Sequence, residues 1–191
     1  MDGVVAGILA GGGSRRFGSD KAFAVHEGKT LLERTVEKAL HLTQEVYILA
    51  KEPAPYSSID CPVLSDSFPV STPLNGIISI SPYVKGWLLL LACDIPFFDK
   101  GVLDLLWDNR SPDKAAVIRI AGKYQPFLGL YPRSVLHFWD EAFIRGDFHL
   151  QRVIESMPRI VFEEYDLEEN GLSLSSFSNI NTPADLVRAG L

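Results

Sequence analysis

The sequence predicts an α/β fold: a single Rossmann-like, three-layer domain over residues 1–191, with a mostly parallel sheet and a small antiparallel elaboration in its second half. Three observations predict it. Short unbroken apolar runs, the mark of strands buried on both faces, alternate with helix-periodic segments through the first half. The chain has 191 residues and 47% apolar content, enough to bury one full core, and no repeat, low-complexity tract or linker divides it. Its chemistry-bearing polar residues follow directly on the apolar runs, where an open α/β sheet binds ligands.

The first strand is Val4-Val5-Ala6-Gly7-Ile8-Leu9, which breaks into a loop rich in glycine and arginine. Leu31, Leu32, Thr35, Val36, Ala39 and Leu40 then recur at helical spacing, and the helix opens near Thr30. Val46 to Ala50 is a short continuous run suited to a central parallel strand. Pro62-Val63-Leu64 is a third strand, followed by Ser65-Asp66, and a helix starts at about Pro73. Trp87 to Cys93 is the most hydrophobic strand and ends at Asp94-Ile95-Pro96. Strand and helix alternating in this way indicate a parallel sheet with right-handed crossovers. In the second half, Ala115–Ile120 and Pro126–Tyr131 flank a hairpin turn at Ala121-Gly122-Lys123. Ser134 to Phe143 reads as helix, Ile160 to Tyr165 as extended, and Phe177 to Ile180 as a last strand. Thr182-Pro183 caps a closing helix with proline at its first position.

A net charge of −6 argues against nucleic acid or an anionic membrane as the main partner. No secretory signal is visible at the N-terminus, and the longest apolar run is far short of a membrane span. Cys61 and Cys93 cannot form a disulfide framework and lack zinc-site spacing, while His26, His41, His137 and His149 are scattered. The expectation is a soluble, cytoplasmic protein with a focused site for a small anion.

That site is the loop after the first strand. Glycines allow the backbone to approach phosphates and aim N–H groups at them, and cationic side chains neutralise their charge. Two common phosphate loops are excluded by spelling. Gly13 and Gly18 have the Walker separation, but Ser19 and Asp20 follow where Lys and Ser/Thr belong. Counted from Gly11 and Gly13, the third glycine of a dinucleotide fingerprint would be Arg16.

Leu9-Ala10-Gly11-Gly12-Gly13-Ser14-Arg15-Arg16-Phe17-Gly18-Ser19-Asp20-Lys21 instead resembles the signature L-A-G-G-x-S-x-R-x-G-x-D-K of the nucleotidyltransferases that act on molybdenum cofactor, most nearly the guanylyltransferases. The resemblance implies transfer of GMP from GTP to the terminal phosphate of molybdopterin or molybdenum cofactor, with release of pyrophosphate. It implies nucleotide binding by Leu9, Ala10, Gly11, Gly12, Gly13, Lys21, Asp66 and Asp94. Lys21, Arg16 and Asp94 are the catalytic assignments, with Arg15 as the alternative loop arginine.

Cys93-Asp94-Ile95-Pro96 matches the family's Cys-Asp-x-Pro, whose Asp holds Mg²⁺ on the nucleotide. Taken alone, Asp94 is equally compatible with a turn residue ahead of Pro96. Asn179-Ile180-Asn181-Thr182-Pro183 matches an element associated with the pterin, so Asn179 and Asn181 are expected pterin contacts, although Asn and Thr before Pro are also ordinary helix-entry chemistry.

Two departures stand out. Thr72-Pro73-Leu74-Asn75-Gly76 replaces the family's Gly-Pro-Leu-x-Gly. Leu49-Ala50-Lys51-Glu52 lacks the Asn that often touches the nucleotide there, and no residue of that segment is assigned. The implied substrates are GTP and molybdopterin, and the implied protein partners are cofactor-insertion proteins or molybdoenzymes. Open alternatives are a cytidylyltransferase on the same cofactor, a sugar-1-phosphate nucleotidyltransferase, and a cofactor or nucleotide carrier without turnover.

Overall fold

The structure is a computed structural model, and it describes residues 3–10, 20–57, 59–180 and 182–189. In chain order the strands and helices are β1 (Val4–Leu9), β2 (Val25–His26), β3 (Lys29–Thr30), α1 (Leu31–Ala39), β4 (Val46–Ala50), β5 (Val63–Ser65), α2 (Pro73–Ile80), β6 (Trp87–Ala92), α3 (Gly101–Asp108), β7 (Ala115–Ile120), β8 (Lys123–Pro132), α4 (His137–Ile144), α5 (Leu150–Ser156), β9 (Arg159–Phe162), α6 (Glu164–Glu169) and α7 (Pro183–Ala189).

Seven strands form one sheet in the order β5-β4-β1-β6-β8-β7-β9. Its first four strands are parallel, with Ile8 paired to Ile48 on one side and to Leu91 on the other. Strand β8 runs antiparallel to both β6 and β7, and β9 is again parallel to β7. The β7–β8 hairpin turns through Ala121 (φ 48°) and Gly122 (φ 73°), two left-handed residues as a two-residue turn of this hand requires. This is the expected mostly parallel sheet with an antiparallel insertion in its second half. An unanticipated second sheet, the β2–β3 hairpin, lies in the first half.

Side chains alternate across the sheet and build two cores, one on each face. Val4, Ala6, Ile8, Ile48, Leu89 and Leu91 pack on one face with Leu32 of α1 and Leu103 and Leu106 of α3. Val5, Leu49, Leu88 and Leu90 pack on the other with Ile77 of α2, Trp139 of α4 and Ile154 of α5. Two covered faces explain why the strands read as unbroken apolar runs. Thr30 caps α1 in a capping box with Glu33, where the sequence placed that helix start.

The structure differs from the sequence reading in several places. The extended segment expected to reach Tyr165 stops at Phe162, because Glu163 and Asp166 form a capping box that opens α6. Phe177–Ile180 is not a strand. Leu174–Phe177 is a single 3-10 turn, and the Ile180 N–H bonds the Asp94 carbonyl at 2.8 Å, one contact past a strand end rather than a ladder. Helices α3 and α5 were not anticipated. The closing helix does begin at Pro183, with Thr182 and Asp185 exchanging cap hydrogen bonds. Among the described residues, no helix is long and apolar enough to cross a membrane.

Candidate active site

The carboxyl ends of β1, β4, β5 and β6 open into a cleft of about 370 Å³. Leu9 and Ala10 come from β1, Ala50 and Lys51 from β4, Asp66 from β5, and Cys93 and Asp94 from β6. Lys21, although distant in sequence from Asp94, reaches the same wall. Its Nζ lies 3.6 Å from Asp94 Oδ2 and 3.5 Å from the Ile180 carbonyl. Ile180 in turn donates its N–H to the Asp94 carbonyl, so the segment ahead of α7 is fastened to the end of β6.

The backbone at Lys21 is held from below. Asp20 caps the 3-10 turn Lys21–Phe23 by accepting the Ala22 N–H at 3.0 Å, and its other oxygen accepts the Tyr56 hydroxyl. Tyr56 is 2% exposed and stacks on Phe23, with ring centroids 5.3 Å apart. Burial first, then the Asp20 carboxylate, raises the Tyr56 hydroxyl far above its ordinary range, so it stays a donor. The loop after Asp94 is pinned from α1: Lys38 donates to the Phe98 carbonyl and sits over its ring, and Arg34 lies over Phe97. Burial lowers the Lys38 ammonium to about 8.

Cys93, beside the site, is buried, and burial followed by the charges of Asp94 and Asp20 pushes its thiol up to about 12. It is therefore a neutral packing group and not a nucleophile. Asp66 is also raised, by burial, with the Lys51 charge opposing.

The departure at Thr72 is structurally accommodated. Its φ is −147°, an extended conformation open to any residue, and its hydroxyl accepts the Leu74 N–H at the start of α2. Buried Asn75 holds the preceding loop by donating to the Phe68 and Val70 carbonyls and accepting the Phe68 N–H. Gly76 has a packing reason, since a Cβ there would meet the Leu49 Cβ at 3.2 Å.

Of the sequence-predicted residues, the fold gathers Leu9, Ala10, Lys21, Asp66 and Asp94 around one cleft. Asn179 is exposed and adjoins Ile180. Gly11, Gly12, Gly13, Arg15, Arg16 and Asn181 lie outside the described residues. Three contributors were missed. Asp20 was visible as part of the loop signature, Lys51 only as a departure, and Tyr56 carried no local signal.

Among the described residues, no cluster of three or more His, Cys, Asp or Glu forms a ready metal cage. Asp94 fits the other kind of site. Its carboxylate accepts no hydrogen bond among the described residues, faces Lys21, and is 32% exposed. Mg²⁺ is commonly held by one or two carboxylates with substrate phosphates and water completing its shell.

The family model described as MobA-like NTP transferase domain matches residues 6–161, which includes the cleft. The chain belongs to this family. Membership makes it a nucleotidyltransferase. A relative from Clostridium perfringens, named probable molybdenum cofactor guanylyltransferase, is 30% identical, with 96% of each chain covered. One of the same name from Aquifex aeolicus is 30% identical over 95% of this chain and 87% of its own. The crystal structure of molybdopterin-guanine dinucleotide biosynthesis protein A from Archaeoglobus fulgidus superposes with a TM-score of 0.81 at 24% identity, covering 96% of this chain and 95% of that one, and so shares the fold.

Proposed function

We propose that this nucleotidyltransferase moves GMP from GTP to the terminal phosphate of molybdopterin or molybdenum cofactor, giving the guanine dinucleotide form and pyrophosphate, and that residues 1–191 act as one domain. The observation that carries this reading is the Lys21–Asp94 pair at 3.6 Å on the wall of the cleft at the carboxyl ends of the parallel strands. A cation and a carboxylate meeting there serve a metal-bound polyphosphate better than they serve a neutral ligand.

The attacking phosphate has a second pKa near ~6 by analogy with phosphorylated side chains, so at neutral pH it is already ionised. No general base is required. The work left to the chain is to align two anions and to neutralise the charge that develops on the transferred group. Lys21 exchanges its Asp94 partner for the α-phosphate oxygens. Arg16 and the backbone N–H groups of Gly11, Gly12 and Gly13 hold the rest of the triphosphate beside Leu9 and Ala10, and Asp66 contacts the nucleoside. Asp94 would hold Mg²⁺, which when bound supplies further neutralisation of triphosphate charge. Asn179 and Asn181 would contact the pterin. A cytoplasmic site of action suits these substrates, and cofactor-insertion proteins or molybdoenzymes would receive the product.

Pyrophosphate release measured with each NTP, Mg²⁺ and molybdopterin or molybdenum cofactor tests the reading. Release with GTP and not CTP or ATP is expected. Preference for CTP would overturn the guanine assignment, and nucleotide binding without release would overturn turnover altogether.

A further inference from the structure

Helix α1 turns one side toward the connection between β6 and α3. Arg34 and Lys38 of α1, and His41 just past it, follow at spacings that line up along one helix side, and they meet Phe97, Phe98 and Asp104 in turn. Asp94 lies in that connection, three residues ahead of Phe97. The N-terminal end of α1 holds the opposite arm of the site. The Leu31 N–H bonds the Ala24 carbonyl at 3.0 Å, and Ala24 closes the turn bearing Lys21 by donating to the Lys21 carbonyl, also at 3.0 Å. The two arms that meet as Lys21 and Asp94 are therefore mounted on one helix.

Arg34 is a side chain that touches both. Its Nη2 donates to the His26 carbonyl at 2.5 Å and to a Glu27 carboxylate oxygen at 3.2 Å, at the turn of the β2–β3 hairpin that joins the Lys21 turn to α1. Its guanidinium carbon stands 5.7 Å from the centroid of the Phe97 ring, which the His26 ring meets edge-on at 5.1 Å. Only two residue pairs form the hairpin ladder, and Glu27 and Gly28 turn it at φ of 48° and 78°, so it needs an anchor outside itself to keep its place. A planar guanidinium supplies the hydrogen bonds from its edge and the ring contact from its body, which an ammonium does not do at once.

We propose that Arg34 is a positioning residue: by clasping the hairpin and the Phe97 segment together, it fixes the separation of Lys21 and Asp94 for nucleotidyl transfer. This rests on the reading of that pair as the catalytic centre. Arg34 needs no contact with substrate, so its loss slows the reaction of bound nucleotide more than it weakens capture of nucleotide.

Pyrophosphate release by the full chain with GTP, Mg²⁺ and molybdopterin, alongside thermal melts, tests this in Arg34→Met, Phe97→Leu, the double variant and His41→Ala. Arg34→Met should lower kcat about tenfold to a hundredfold while the KM for GTP moves by about threefold at most. Phe97→Leu should lower kcat as well, and the double variant should be no slower than Arg34→Met alone, since both break one chain of contacts. His41→Ala cuts the end of α1 from Asp104 of α3, and it should lower the melting temperature but keep kcat within about twofold. An Arg34→Met protein with the natural kcat overturns the proposal, as does one whose KM rises as much as its kcat falls. Losses that multiply in the double variant overturn it too, as does a His41→Ala protein as slow as Arg34→Met. Should Arg34→Met not fold, a natural kcat in Phe97→Leu overturns the proposal. Lys21→Ala at the natural rate would instead remove the catalytic centre itself, and the proposal with it.

Discussion

Replacing Tyr56 by phenylalanine removes one hydroxyl and keeps the ring, so it separates a hydrogen bond from the packing around it. The ring is 2% exposed and stacked on Phe23, and neither feature should change. What is lost is the donor to Asp20, the residue that also caps the turn bearing Lys21. A hydrogen bond to a charged group contributes about 1.5–3 kcal/mol, and here the carboxylate oxygen would be left without its partner in a half-buried position. For a chain of this size, about 2–4 °C of melting temperature accompanies each kcal/mol, which gives a fall of about 3–12 °C. Release of Asp20 also loosens Lys21 against Asp94, and misplacement of a catalytic group on the order of 1 Å can cost up to about a hundredfold in rate. The expected signature is a lower melting temperature together with a fall in kcat larger than any rise in the KM for GTP, read from thermal melts and pyrophosphate release. A Tyr56→Phe protein with unchanged melting temperature and kcat would refute the linkage from Tyr56 through Asp20 to Lys21.

Lys21→Ala should lower kcat by about 10²–10³, the usual cost of losing one electrostatic donor to a transition state. Rates like those of the natural protein would remove Lys21 from the transition-state assignment. Asp94→Ala should abolish pyrophosphate release at every Mg²⁺ concentration, and a variant with an undiminished Mg²⁺-dependent rate would remove the metal assignment. Lys38 gives a prediction in pH. Its ammonium is lowered to about 8 in the folded chain against about 10.4 when unfolded, so between these values the unfolded chain holds a proton that the folded chain has released. Stability from this group is therefore fully present above the unfolded value and lost as pH falls through about 8. After allowance for solvent screening, urea melts of the natural protein and Lys38→Met should diverge by about 1–2 kcal/mol in favour of the natural protein as pH rises from about 7.5 to 10. A flat difference across that range would contradict the lowered ammonium.

The strands were readable because a sheet covered on both faces needs unbroken apolar runs, and β1, β4 and β6 supply them. Helix α1 was readable because Thr30 and Glu33 write a capping box into the sequence. Helix α6 was misread because its N-cap is Glu163, where Ser, Thr, Asp or Asn is usual, and because it follows a β-branched segment that reads as extended. Phe177–Ile180 was misread for the opposite reason. Its apolar residues are buried beneath the end of β6, and burial without a neighbouring ladder resembles a strand in sequence alone. The sequence shows Thr72 only as a departure from the family pattern, and its extended φ shows that no glycine is needed there.

By itself the sequence determined the class of fold, the glycine-rich loop, and the residue types present for phosphate and metal chemistry, because periodicity and motif spelling are local properties. Only the tertiary structure decided which of these residues meet. The approach of Lys21 to Asp94 and Ile180 spans most of the chain, Tyr56 reaches Asp20 across the intervening β2–β3 hairpin and α1, and the pairing of Ala50 with Ser65 brings Lys51 beside Asp66. Those distances follow from strand order and register, which are set by how two cores pack against one sheet and leave no mark on any single stretch of sequence.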